Sequence, residues 1–265
     1  MQIGKAINLD PTMGYAWAIK TPIYLQDNEW DEAKISAERA TELSPYNSGV
    51  WTEAGNYYNT VGSWEKAAHV YNRAIELNPT DFLSQAFVGV IYANLGEVES
   101  GLEHLDIAIA GGMSAARIMK GNILMDNGIS DGFAQAQNAS RAAFGLPENE
   151  DMQKFVDTDP SLRDGLRGQL KVLPTYQLAQ VKALLLQDGE FFVKDAKAKI
   201  AITPIYFNPI MTNLFRAVMS QPAMKEYFTE IGLVDHWRET EWPSFCRAVG
   251  EDDFECDDGK GNWPE

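Results

Sequence analysis

A 34-residue period runs through the first half of this 265-residue chain and limits its fold more than any other feature. Pro11, Pro45 and Pro79 stand one period apart; the next step falls on Met113 and the one after on Pro147. Ala6, Ala40, Ala74, Ala108 and Ala142 keep the same step. So do Tyr24, Tyr58 and Tyr92, then Leu9, Leu43 and Leu77, then the pairs Trp17 with Trp51 and Gly55 with Gly89. Ala33 and Ala67 continue to Gly101. Several residue types locked to one period, without insertion, mean that one supersecondary unit is repeated.

The unit reads as a pair of helices. A residue before proline is pushed out of the α region, so Asn8-Leu9-Asp10-Pro11 and Leu77-Asn78-Pro79 end helices. Gly62-Ser63 and Leu95-Gly96 lie mid-unit, where two helices must turn back on each other. Gly55, Gly89, Ala67 and Ala74 allow close approach, while Trp51, Tyr58 and Tyr71 fill the gaps. One hairpin cannot bury both of its faces, so neighbours must stack. The pattern predicts helix pairs at 14–27 with 31–43, 48–60 with 64–77, 82–95 with 98–110, and 116–127 with 132–145. Pro22 falls inside the first of these, where a kink or break is expected at a cost of roughly 3 kcal/mol. The fourth pair is degenerate: Asp126 replaces the tyrosine and Gln135 the small residue. Residues 1–11 read as the second half of a repeat whose first half is missing. The sequence is therefore expected to be a piece of a longer protein, with an uncapped edge open to self-association.

Trp51, Ala54-Gly55, Tyr58, Ala67, Tyr71, Ala74 and Pro79 fall where the tetratricopeptide repeat family has its signature residues. Residues 1–147 resemble that family. The resemblance implies an all-α fold, a right-handed superhelical solenoid of helix-turn-helix hairpins made of one half repeat and four full ones. An irregular helical extension with an acidic tail is expected over 148–265. The resemblance also implies an interaction module for a protein or peptide segment, with no catalysis and no cofactor. In the family, the first helices of successive repeats line a concave groove. By register those positions include Asn56, Asn59, Asn94, Arg117, Lys120 and Asn127. Asparagine amides can bond an extended backbone from both sides, and Arg117 and Lys120 suit a carboxylate. The family's clamp for the C-terminal carboxylates of chaperones needs Lys and Asn at set points in consecutive repeats. Ala18 and Pro22 stand there in the first full repeat, so chaperone tails are not the expected partner.

After Pro147 the period is lost. Helices are expected over 161–173, 176–187, 190–200, 212–220 and 222–231, the last ended by Gly232. Residues 202–209, with Pro204 and Pro209, are expected to be extended or looped. The runs Leu233-Val234-Asp235-His236-Trp237, Trp242-Pro243-Ser244-Phe245-Cys246 and Asp253-Phe254-Glu255-Cys256 resemble the end of certain bacterial repeat proteins. In those, such repeats follow a winged-helix DNA-binding domain or a nucleotide cyclase domain. His236 stands where that pattern has tyrosine. The likeness implies the regulatory or sensor part of a bacterial signalling or transcription-regulating protein.

Charge narrows the partner. With 38 acids against 22 bases the net charge is −16. Phosphate contacts need clustered Lys and Arg, so nucleic acid is not expected to bind this segment, nor is an anionic membrane surface. Basic partners are favoured. No apolar run nears the roughly 18 residues of a membrane span, and a cytoplasmic location is expected.

The alternative to an interaction module is an enzyme or metal protein with its site in the last third. Its best candidates are His236, Cys246 and Cys256, as zinc ligands. A disulfide or two packed or free thiols are the other states of the pair. Cys-x9-Cys is not a zinc spacing, and thiols are expected. The acidic runs 148–151 and 251–258 lack the Asp-x-Asp-x-Asp-Gly order of a calcium loop and read as solvated charge. His69 and His104 have no evident catalytic partner and read as structural or surface groups. No phosphate loop or nucleophile elbow is present. No catalytic residue and no metal ligand is assigned.

Overall fold

Each helical hairpin closes on the same backbone turn. The carbonyls of Tyr24, Tyr58 and Tyr92 accept hydrogen bonds from the amides of Glu29, Ser63 and Glu97 at 2.9, 2.9 and 2.8 Å. The residue before each of these amides is left-handed: Asn28 at φ 57°, Gly62 at 82° and Gly96 at 92°. This six-to-one bond with a left-handed residue satisfies carbonyls that a helix end leaves open. Glycine and asparagine are the residues that tolerate it, which is why they recur at this phase. A second tie recurs at the opposite edge. The indole N–H of Trp17 donates to the Pro11 carbonyl at 3.0 Å, and that of Trp51 to the Pro45 carbonyl at 2.9 Å.

The computed structural model describes residues 10–127, 190, 193, 216, 219, 221–257 and 261–264. Helix α1 (Gly14–Gln26) pairs with α2 (Trp30–Leu43), α3 (Ser48–Thr60) with α4 (Trp64–Leu77), and α5 (Phe82–Asn94) with α6 (Val98–Ala110). Helix α7 (Ala115–Asp126) opens the fourth unit. The boundaries lie within a residue of those predicted. The partner expected at 132–145 and the helices expected at 161–173 and 176–187 lie outside the described residues, as does the segment 202–209. The chain is thus a solenoid of helical hairpins. Helix α1 runs unbroken through Pro22, contrary to expectation. The proline removes one amide, yet hairpin packing along Ala16, Ala18 and Thr21 keeps the helix continuous.

Small residues set the spacing. An added methyl on Gly55 would lie 2.5 Å from the Tyr71 ring, and one on Gly89 would lie 2.7 Å from the Gly101 carbonyl oxygen. Around these contacts Ala33, Ala37, Ala67, Tyr71, Ala86, Ile91 and Leu105 form one continuous core. The first helices of neighbouring hairpins pack on one another, α1 on α3, α3 on α5 and α5 on α7. The second helices do so far less.

The C-terminal part adds a small mixed unit. Helix α8 (Pro222–Glu230) ends at Gly232, left-handed at φ 73°, as the sequence indicates. Helix α9 (Leu233–Glu239) and an antiparallel hairpin of β1 (Cys246–Val249) and β2 (Asp253–Cys256) follow. These three elements are departures from the expected acidic tail. Phe254 sits among Phe228, Trp237 and Trp242, with ring centroids 5.8 to 6.5 Å from its own. Cys246 and Cys256 face each other across the strands and form a disulfide, not the expected thiols. Antiparallel pairing brings them together despite their separation of 10 in sequence. The run 251–258 is not simply solvated either. Asp253 pairs with Lys225, Glu255 with Arg247, and buried Asp257 with Arg216.

Candidate functional site

Among the expected groove residues, Asn56 of α3 sits in a chain of polar contacts. Its Oδ1 accepts from the Tyr71 hydroxyl at 2.7 Å, and its Nδ2 donates to Glu53 at 3.1 Å. Burial pushes the Tyr71 hydroxyl well above its ordinary pKa, so it stays a donor and fixes the orientation of the amide. The second Asn56 N–H has no acceptor among the described residues. Burial also raises the Glu53 carboxyl, helped by the nearby charge of Asp81 and opposed by the Asn56 bond. Asp81 itself caps α5, accepting from Thr52 Oγ1 at 2.6 Å and Ser84 Oγ at 2.9 Å. Among the described residues no cation pairs with Glu53 or Asp81.

The structure divides the expected groove residues. Asn59 and Asn94 are only 3% and 8% exposed, beneath the surface. The backbone carbonyl of Asn94 accepts from Arg216 at 3.2 Å. Arg117 and Lys120 are half-buried on α7, and Lys120 reaches both oxygens of Asp106 at 2.6 and 2.7 Å. Asn127 is exposed, its amide folded back onto the Ile123 carbonyl at 2.8 Å. Asn56, Arg117 and Lys120 are thus partly exposed, and Asn127 is exposed. Glu53 was not legible as a site residue. A single glutamate on a polar helix reads as surface, and only the stacking of the next hairpin half-buries it beside Asp81.

His236 has a structural setting. Its Nδ1 lies 2.7 Å from an Asp31 carboxylate oxygen and its Nε2 lies 2.8 Å from the Tyr57 hydroxyl. A carboxylate only accepts, so Nδ1 donates to Asp31, and Nε2 is engaged by the Tyr57 hydroxyl. Both ring nitrogens are engaged, and both cysteine sulfurs are bonded to each other. The His236, Cys246 and Cys256 zinc site therefore does not form. Among the described residues no group of three or more His, Cys, Asp or Glu converges as for a metal ion. His104 is half-buried, with Nδ1 2.6 Å from Gln85 Oε1, and burial lowers its basicity.

These stacked hairpins define a protein of tetratricopeptide-like helical repeats. No family model matches the chain. It is similar to anaphase-promoting complex subunit 3 of Schizosaccharomyces pombe (strain 972 / ATCC 24843), with 27% identity over 125 residues. That stretch is 46% of this chain and 19% of the relative, so the chain corresponds to about a fifth of that protein's length. The likeness of a repeat array to a subunit of a complex supports a role in binding other proteins. No described helix is long and apolar enough to cross a membrane.

Proposed function

We propose that the concave face holds an extended protein segment that carries basic side chains, and that the chain works as a non-catalytic scaffold. The observation that carries this reading is the Tyr71–Asn56–Glu53 chain of hydrogen bonds. It presents an oriented amide donor beside a half-buried carboxylate that has no cationic partner among the described residues. A peptide carbonyl suits the amide, and a lysine or arginine suits Glu53 and Asp81. The surplus of acids over bases steers such a segment inward. Arg117, Lys120 and Asn127 extend the surface along α7 for a polar or acidic stretch of the same segment. The cytoplasmic location and the role as a regulatory or sensor part of a signalling protein belong to this proposal. The role rests on the C-terminal sequence likeness, and the location on the sequence having no apolar run of membrane-span length.

Peptide selection from a random displayed library tests it. Enrichment of Lys and Arg is expected, with binding weakened about fivefold or more by Asn56→Ala or Lys120→Glu. Thermal unfolding of both variants serves as the control for folding. Selected peptides that bind both folded variants as well as the natural chain would remove the groove assignment.

A further inference from the structure

The C-terminal unit lies across the edge of the solenoid formed by the hairpin-closing turns. Trp30 Nε1 donates to the Ile231 carbonyl at 2.7 Å, and Trp237 Nε1 to the Val61 carbonyl at 2.8 Å. The Arg216 guanidinium bonds the Asn94 carbonyl, stacks 4.6 Å from the Trp64 ring centroid and pairs with Asp257. Lys66 pairs with Glu241. Phe245 stacks on Trp64 with centroids 4.4 Å apart and, with Pro243, closes over Gly62. The unit thus acts as a clasp over Tyr57, Val61 and Trp64, all nearly fully buried.

The clasp is small. Its sheet is a single pair of four-residue strands, and a two-stranded hairpin alone is marginally stable at best in water. No described metal cluster serves it, and its one covalent tie is Cys246–Cys256. That bond joins the two strands that carry the docking groups: Phe245 precedes β1, and Asp257 follows β2 with its amide bonded to the Phe245 carbonyl at 2.9 Å. Cys246 and Cys256 are 3% and 1% exposed, so a reductant reaches them only when the hairpin opens.

We propose that the Cys246–Cys256 bond is a redox latch for the clasp. In the oxidised chain the clasp covers the turn edge of the first three hairpins. A dithiol reductant opens it: one reductant thiolate attacks one cysteine sulfur and displaces the other as thiolate. The second reductant thiol then resolves the mixed disulfide, leaving two cysteine thiols and an oxidised reductant. Without its cross-link the hairpin loses a constraint worth roughly a tenfold to hundredfold bias toward the ordered form. The apolar edge at Tyr57, Val61 and Trp64 is then uncovered. Linkage makes the coupling mutual, so a docked clasp also protects the bond. This latch does not depend on what the concave face binds.

Hydrogen exchange on the full chain tests the latch, comparing the oxidised protein, the protein in dithiothreitol, and the Cys246→Ser/Cys256→Ser double variant without reductant. Amides of α8, α9 and the β-hairpin are expected to exchange at least tenfold faster in the last two, with α5 and α6 unchanged. A second arm uses Gly62→Ala, whose methyl would press on Phe245 and Pro243 from the solenoid side. It should speed the reduction of the bond severalfold. Unchanged exchange in 221–257 upon reduction would overturn the latch. Equal loosening of α5 and α6 would make the bond a general staple and also overturn it, as would a reduction rate indifferent to Gly62→Ala.

Discussion

At the scale of single residues, the repeat is a set of positions whose chemistry is fixed by backbone and burial. Asn28 shows how narrow the choice is. It takes the left-handed place that Gly62 and Gly96 hold in the next two units, and asparagine is the side chain that best tolerates it. Glu53 is the opposite case, a residue whose setting opposes its own ionisation. Burial and Asp81 raise its carboxyl in the folded chain. The native state therefore holds the Glu53 proton more tightly than the unfolded state does. Stability contributed by the protonated form is present at low pH and is lost as pH rises through the raised value. Glu53→Gln keeps an acceptor for Asn56 and removes the charge. It is expected to raise the urea midpoint at pH 8, with the gain fading toward pH 4. A gain of equal size at both values would show that the charge is not the cause.

At the scale of elements, the hairpins are held by backbone approaching backbone. Where Gly89 meets Gly101, neither partner has a side chain that can move aside. Gly89→Ala would force α5 and α6 apart and is expected to cost about 3 kcal/mol in urea unfolding. A cost below about 1 kcal/mol would mean that the pair can separate freely. These elements were legible because proline, glycine, alanine and tryptophan each answer a local demand that recurs at one period. The clasp was not legible for the complementary reason. Its order comes from contacts between residues far apart in the chain, such as Trp237 with Val61 and Trp30 with Ile231. No short-range pattern in Cys246 to Cys256 announces the strand pairing that joins the sulfurs. Of the groove positions expected from the register, Asn56, Arg117 and Lys120 are partly exposed, whereas Asn59 and Asn94 are buried by the packing of neighbouring hairpins. Helix phase fixes the side of a helix, while depth depends on what stacks against it.

At the scale of the whole molecule, surplus charge sets the balance. The chain carries 38 acids against 22 bases. Most of the described ion pairs, such as Arg39 with Glu42 and Arg73 with Glu76, have exposed members. Each contributes about 0 to 1 kcal/mol and weakens in salt. The 16 surplus negative charges repel one another, and salt relieves that repulsion over a Debye length of roughly 10 Å at 0.1 M. Repulsion spread over the whole surface should outweigh a handful of weak pairs. Raising NaCl from about 10 to about 300 mM is therefore expected to raise the calorimetric Tm by a few degrees, because the array stiffens as its surface charge is screened. The buried Arg216–Asp257 pair is shielded from the salt and should not offset the gain. A Tm that falls over this range would mean that paired charges, and not surplus ones, govern the electrostatics of the fold. The attraction of basic segments to the concave face would then need a local source in Glu53 and Asp81 alone.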